Sequence, residues 1–216
     1  MEKLLNLFTL KPVNYIESEG FFKKAFRFMF LFAALVIALY GIYSIIYGSY
    51  SYFKMVFDLE AFAIIRHLLL FVICLIISVL AYVLIVGALY HRANLVLQEN
   101  EHNLVDIMPG AIKTLGIVLA IIPIVVGLVG FFSALLAATP FFPMQELTGI
   151  ISGITVINLP SVLSGFGVQD FEAYAKQLFG MGCVVLILSV FASFINLVAM
   201  YLVSALYKLV VIFIRK

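Results

Sequence analysis

The chain has 216 residues, of which 65% are hydrophobic and 11% charged, with a net charge of +2 and a mean hydropathy of +1.22. A soluble domain carries roughly 45–50% apolar and about 25% charged residues. The composition therefore excludes a soluble enzyme, a disulfide-stapled secreted domain and a disordered chain. The small net charge gives no reason to expect a nucleic-acid partner.

Four stretches of the sequence contain no Asp, Glu, Lys or Arg, and together they make up about half of the chain. Each is longer than the roughly 20 apolar residues that a membrane-spanning helix needs. The four stretches are residues 28–53, 68–90, 114–145 and 177–207. We therefore expect an all-α, polytopic membrane protein with four transmembrane helices in a lipid bilayer.

The parts of the chain follow from these spans. Residues 1–24 are too polar to span, and their leucines predict an amphipathic segment on the membrane surface. Residues 25–98 are expected to form a first transmembrane hairpin, whose second helix extends beyond the membrane to about Gln98. A polar connector, 99–113, leads to a second hairpin over 114–216.

The second hairpin is predicted to carry an outer-face insertion at about 140–176. Within it, residues 147–169 are uncharged but rich in glycine, serine and threonine, which lowers the helix propensity. We interpret 147–169 as an interfacial helix, with a re-entrant loop shielded by protein as the alternative. Pro140 and Pro143 are expected to belong to a loop that binds a partner.

Charge distribution predicts the orientation in the membrane. Ten of the 13 basic residues fall on the side that both termini share. The positive-inside rule therefore places both termini in the cytoplasm. A multi-pass chain of this kind suits a bacterial inner membrane.

Two pairs of segments suggest that the hairpins are duplicated. Residues 14–24 and 103–113 each precede an outward span and share polar residues at a constant offset. Residues 88–91 and 205–208 match at the inner ends of the second and fourth spans. Both copies run in the same direction, so the repeats are expected to be parallel. Two ordinary hairpins of similar composition are the alternative.

The sequence gives no support for catalysis. No charged residue lies deep in a span, and the common nucleophile, zinc-protease and phosphate-loop motifs are absent. Cys74 and Cys183 have no His, Asp or Glu within six residues, so we interpret them as packing residues and expect no metal site and no cofactor. We therefore expect no enzyme activity and no catalytic residues.

A few residues inside the spans are candidates for ligand or helix contacts. Asn196 and Ser193 lie about one turn apart in the fourth span, and an amide in hydrocarbon must find hydrogen-bond partners. We favour an interhelical contact over a ligand pocket. Tyr43 to Tyr52 are predicted to form an interfacial aromatic belt. Tyr40 lies deeper in the same span and is expected to face a partner helix. Pro123 is expected to kink the third span.

Both ends of the second span carry a histidine beside an arginine. These interface candidates are Arg66 with His67, and His91 with Arg92. Such imidazoles can ligate a metal or titrate near neutral pH. Polar residues that mark the membrane interface are the preferred interpretation.

The leading functional hypothesis is a non-enzymatic membrane subunit or scaffold, which acts within a larger complex of other membrane subunits or by self-association. It follows from uncharged spans, the short extramembrane parts and the small residues on the helix faces. The alternative is a small channel or transporter for lipid or an apolar solute. Its pathway would use Pro123, Asn196 and a re-entrant 147–169.

Overall fold

The computed structural model describes residues 21–98, 104–144, 147–148 and 179–214. The predicted surface segment before residue 21 and nearly all of 147–169 lie outside the described residues, so those two predictions stay predictions.

Four long helices make up the described chain. They are α1, Phe21–Val56; α2, Ala61–Gln98; α3, Leu104–Leu136; and α4, Phe179–Ile214. All four are long and apolar enough to cross a membrane, and the described residues contain no strand. The predicted all-α, four-span membrane fold is confirmed. Because α3 begins at Leu104, most of the predicted connector 99–113 belongs to that helix.

The helices pack in a row that follows the chain order. α1 packs against α2, α2 against α3 and α3 against α4, while α1 makes only slight contact with α3. α3 is the most buried helix, and α1 and α4, at the two ends of the row, are the least buried. The described chain therefore consists of two antiparallel hairpins, α1/α2 and α3/α4, joined through α2 and α3. Their origin by duplication stays a prediction.

The two ends of this row are distinct. At the end where α1 begins, α2 also ends, α3 begins and α4 ends; we call it the terminal end. At the opposite end, the loop end, a short turn joins α1 to α2, closed by the Leu59 amide donating to the Val56 carbonyl (3.1 Å). The loop end is also where the chain leaves α3.

The helix α3 ends earlier than its uncharged stretch. Ala137 follows its last residue with φ 47°, in the left-handed region, and the Ala138 amide donates to the Ser133 carbonyl (3.3 Å). This is the geometry of a Schellman cap, which stops a helix. The Ser133 hydroxyl also donates to the Ala138 carbonyl (2.5 Å). The chain therefore turns at residue 137, still within the uncharged stretch 114–145.

Prolines do not interrupt α3. The helix continues through Pro109 and Pro123, and Pro123 is buried. Proline lacks the amide that the carbonyl four residues earlier would accept from. The predicted kink at Pro123 therefore does not break α3 into two helices.

Candidate functional site

The chain that follows α3 enters the space between α1 and α2. We call residues 138–144 the inserted segment. Phe141 and Met144 are almost fully buried, and residues 139–142 are not helical. In a membrane, non-helical backbone is tolerated only where protein or a water-filled cavity satisfies its polar groups. The hydrogen bonds of the segment therefore decide how it is held.

At the loop end, Tyr52 and His67 hold Thr139. The Tyr52 hydroxyl donates toward the carbonyl oxygens of Thr139 (2.8 Å) and His67 (3.1 Å). The Thr139 amide donates to Nε2 of His67 (3.2 Å), whose Nδ1 lies 2.8 Å from the Ala63 carbonyl oxygen. Both polar backbone groups of Thr139 are thus bound by side chains of α1 and α2.

Further along, an aromatic cluster surrounds the middle of the segment. The Phe141 ring lies 5.7 Å from that of Tyr52 and 4.8 Å from that of Phe71. A Cβ on Gly48 would lie 3.0 Å from the Phe141 ring. The Phe141 backbone also hydrogen-bonds to Cys74, which is fully buried. The lack of a side chain at Gly48 therefore leaves room for the Phe141 ring, and the Cys74 thiol binds the backbone of the segment.

The deepest described contact of the segment is with Tyr82. Its hydroxyl lies 3.4 Å from the Pro143 carbonyl oxygen and 3.0 Å from Oγ of Ser44. A Cβ on Gly41 would lie 2.9 Å from the Tyr82 ring, so only glycine lets α1 and this ring approach so closely. The four residue steps from Thr139 to Pro143 can advance about 13 Å when extended, which is close to half of a ~30 Å hydrocarbon core.

The sequence of the segment suits this position. Proline has no amide donor, so Pro140 and Pro143 reduce the number of buried N–H groups that need an acceptor. Residues 140–144 were predicted to start an outer-face insertion that binds a partner. They instead lie inside the protein, because their apolar side chains fill the gap between α1 and α2.

Both polar residues predicted in the fourth span are buried. Asn196 is fully buried, and the Ser193 hydroxyl donates to the Ala120 carbonyl of α3 (2.6 Å). Ala120 lies one turn before Pro123. A Cβ on Gly127 would clash with the Ser189 hydroxyl, so the two helices are in close contact there.

The four interface candidates lie in different environments. His67 is buried in the site just described, and the Arg66 guanidinium lies over the Phe62 ring (5.2 Å). At the terminal end, His91 is exposed, whereas Arg92 is buried and donates to the Ile107 carbonyl (3.5 Å). The structure therefore does not unite the two histidines and two arginines in one site.

The tyrosines of α1 divide into two groups. Tyr52 is buried and bound to the inserted segment, so its predicted place in an interfacial belt is corrected. Tyr40 is partly buried and packs against the core. Tyr43, Tyr47 and Tyr50 are exposed, and the first two stack with ring centroids 5.7 Å apart.

Several residues of the site were not singled out by sequence reasoning. Ser44, Tyr82 and Phe141 carry contacts of the inserted segment, yet each lies in an uncharged stretch without a motif. The one signal available was the pair of prolines, Pro140 and Pro143, flanking two phenylalanines near the end of an uncharged stretch. Two prolines this close together each remove a helix hydrogen bond within about one turn, which favours a non-helical segment, and the phenylalanines between them make it apolar.

Within the described ranges, no group of three or more His, Cys, Asp or Glu side chains could hold a metal ion. The described site consists of hydroxyl, imidazole, thiol and carbonyl groups around the inserted segment. Such groups can hydrogen-bond to non-helical backbone at membrane depth, or link one helix to the next through hydrogen bonds. Comparisons with protein-family models, with curated proteins and with solved structures found no match for this chain.

Proposed function

We propose that this protein is a non-enzymatic membrane subunit or scaffold that works through lateral association along the exposed face of α1. The observation that carries the proposal is the position of Tyr43. This tyrosine is 62% exposed and belongs to the helix at one end of the row. Its depth in the membrane follows from the register of α1 and α2.

Two contacts fix that register. Gly41 lies against Tyr82, and the Tyr52 ring stacks on Phe71 at 5.5 Å. In this antiparallel register Tyr43 is level with about residue 80 of α2, the middle of the uncharged stretch 68–90. A tyrosine side chain reaches only about one helical turn, ~5 Å, so its hydroxyl cannot reach an interface roughly 15 Å away.

A phenol at this depth favours contact with protein. Transfer of a hydroxyl into hydrocarbon without a hydrogen bond costs on the order of 2–7 kcal/mol. Tyr47, stacked on Tyr43, lies one turn nearer the loop end on the same exposed face. A partner helix with hydrogen-bonding groups would remove this cost.

The exposed face of α4 provides the contrast. Phe191 and Phe194 lie near the middle of the uncharged stretch 177–207 and are 61% and 63% exposed. Their rings carry no polar group, so contact with lipid chains leaves no hydrogen bond unmade. The proposal therefore assigns α1 to protein contact and α4 to lipid.

A second copy of the same chain is the simplest partner. A phenol both donates and accepts, so two tyrosine faces related by a two-fold axis can satisfy each other. The proposal also places the terminal end, which holds six of the eight basic residues in the described ranges, in the cytoplasm of a bacterial inner membrane.

Cysteine cross-linking tests this proposal. In a background with Cys74→Ser and Cys183→Ala, we expect Ile46→Cys on the α1 face to form a covalent dimer under iodine oxidation in native membranes. Val190→Cys on α4, of similar exposure, is the matched control and should stay monomeric. Adding Tyr43→Phe and Tyr47→Phe should lower the Ile46 dimer yield severalfold.

Equal yields at both positions would show random collision. A protein that emerges from gentle extraction as a 24.0 kDa monomer in its micelle, with no dimer in membranes, would contradict lateral association. A heavier particle without cross-linked dimer would indicate a different subunit as the partner.

The inserted segment favours a second candidate function, a small channel or transporter for lipid or an apolar solute. Non-helical backbone near the membrane centre is typical of transporter pathways. If the segment lines a pathway, a cysteine at the partly buried Phe142 should react with an impermeant thiol reagent at a rate that cargo changes. A rate independent of every lipid and apolar solute tried would count against transport.

A further inference from the structure

The two ends of the protein carry very different charge. In the described ranges, the terminal end carries six basic side chains and a single acidic one, Asp106. The loop end carries two basic and two acidic side chains, so its charges balance. The basic residues of the terminal end are Lys23, Lys24, Arg27, Arg92, Lys113 and Lys208. An excess of positive charge at one membrane interface attracts anionic groups of that leaflet.

Two of these lysines lie along the contact between α3 and α4, beside Tyr201. Nζ of Lys113 lies 5.2 Å from the centre of the Tyr201 ring. Lys208 follows Tyr201 by seven residues, or two helical turns, so both lie on the same face of α4. The Ser204 hydroxyl donates to the Pro109 carbonyl of α3 (3.0 Å), which joins the two helices here. We call Lys113, Tyr201 and Lys208 the basic groove.

The basic groove lies at the boundary of the membrane. Lys113 directly precedes the uncharged stretch 114–145, and Lys208 directly follows 177–207. Lys208 and Tyr201 are exposed, and Lys113 is partly exposed. Toward the middle of the membrane, exposed apolar side chains continue the same helix faces: Ile117 and Ile124 on α3, and Phe194 on α4. The groove therefore combines positive charge at the interface with an apolar wall below it.

The two lysines of the groove are not neutralised by the described part of the chain. Within those ranges, neither Lys113 nor Lys208 makes an ion pair with a carboxylate, Asp106 included. The contact of Lys113 with Tyr201 sets the two lysines about seven residues apart in level, or ~10 Å along the helix axis. Each ammonium group is carried on a flexible four-carbon stem. Both can therefore reach one phosphate group placed between them.

We propose that the basic groove binds the headgroup of an anionic phospholipid, whose acyl chains lie along Ile117, Ile124 and Phe194. The two ammonium groups pair with the phosphate oxygens, and the Tyr201 hydroxyl can donate to them as well. A zwitterionic headgroup would bring its own cation close to the lysines, so a headgroup with a net negative charge fits better. A free phosphate ion would make the charged contacts but not the apolar ones. This inference is independent of the partner proposed for α1.

The lipid preference can be measured by fluorescence because the chain has no tryptophan. Phe194→Trp places a single indole on the apolar wall below the groove, and quenching by dibrominated lipids reports which lipid lies beside it. In phosphatidylcholine vesicles we expect brominated phosphatidylglycerol to bind there at least about fivefold more tightly than brominated phosphatidylcholine. Val184→Trp, exposed near the loop end of α4, is the matched control and should show no preference.

Two pairs of substitutions of equal charge separate the groove from diffuse attraction at the membrane surface. In the Phe194→Trp protein, Lys113→Gln together with Lys208→Gln should abolish the preference for phosphatidylglycerol. Lys24→Gln together with Arg27→Gln removes the same charge from α1 at the same end and should leave the preference unchanged. An unchanged preference in the first pair, or an equal loss in both pairs, overturns the proposal.

Two further outcomes need no charge variant. If the Phe194→Trp protein itself shows no preference for phosphatidylglycerol, the groove does not select an anionic lipid and the proposal is wrong. Inorganic phosphate added at constant ionic strength should not change the preference. Its loss would show that the groove binds the free ion instead, which also overturns the proposal.

Discussion

The two hairpins of this protein solve the same packing problem in different ways. In α3/α4 the helices touch directly, through Gly116 at Met200, Gly127 at Ser189 and Gly182 at Ala134. In α1/α2 the two glycines of α1 face aromatic rings instead, with Gly41 at Tyr82 and Gly48 at the Phe141 ring of the inserted segment. One hairpin is closed by its own backbone contact, and the other is filled by a piece of chain from its neighbour.

This difference has a consequence for stability. Small residues let two backbones approach, and the van der Waals contact of the approach is the main attraction between helices in lipid. The α3/α4 pair carries that contact within itself. The α1/α2 pair depends on residues 138–144. Its packing therefore forms only when the chain after α3 follows its path between α1 and α2. Substitutions should therefore destabilise α1/α2 when they remove a filling side chain, and α3/α4 when they add a side chain to the contact.

The largest effect is expected where the filling residue is removed. Phe141→Ala deletes a buried ring that contacts Tyr52, Phe71 and Gly48, and should lower the free energy of unfolding by about 3 kcal/mol. The measurement is unfolding by SDS in mixed micelles. Phe213→Ala, at a highly exposed position of α4, is the control and should change little. Equal losses for the two variants would mean that the segment does not support α1/α2.

A smaller effect is expected where a side chain is added to the closed hairpin. Gly127→Ala places a Cβ in steric conflict with the Ser189 side chain, so we expect the free energy of unfolding to fall by about 2 kcal/mol in the same assay. Ser189→Gly in that background should restore most of the loss by removing the clashing atoms. Gly87→Ala, whose Cβ would meet nothing within 4 Å, is the control.

The Gly87→Ala control separates the steric effect of an added Cβ from its effect on helix propensity. Alanine is a better helix former than glycine by up to ~1 kcal/mol, so Gly87→Ala should be neutral or stabilising. If Gly127→Ala behaved like Gly87→Ala, the close contact of α3 with α4 would not exist.

The smallest effect is expected for a hydrogen bond between helices. Ser193→Ala removes the donor to the Ala120 carbonyl and should cost about 0.6 kcal/mol, the average for such bonds in membranes. Ser51→Ala, at an exposed position of α1, is the reference. A loss as large as that of Phe141→Ala would show that polar contacts, rather than packing, dominate α3/α4.

The helices of this protein were far easier to predict from the sequence than their ends and contacts. The four spans follow from charge-free length, which is a local property of each stretch. The end of α3 at Leu136 does not, because Ala137 to Met144 are as free of charge as the helix before them. An apolar loop buried in protein and an apolar helix in lipid have the same composition. The two prolines were the only local sign of the difference.

The polar residues show the same division. That Asn196 and Ser193 need hydrogen-bond partners follows from their chemistry alone, whereas the Ala120 carbonyl as the acceptor for Ser193 required the structure. Tyr43 and Tyr52 lie nine positions apart in one run of aromatic residues, and nothing local distinguishes them. One is exposed, and the other is buried against Thr139.

The number of spans and the membrane environment follow from the sequence alone. Each of these is imposed on a segment separately, by the thickness of the bilayer and the cost of placing charge in it. Only the tertiary structure decided which helix faces meet and where the chain goes after α3. Lipid chains and apolar side chains are equally hydrophobic, so no pattern of hydrophobicity marks the faces of a membrane helix, and close packing and hydrogen bonds select them instead.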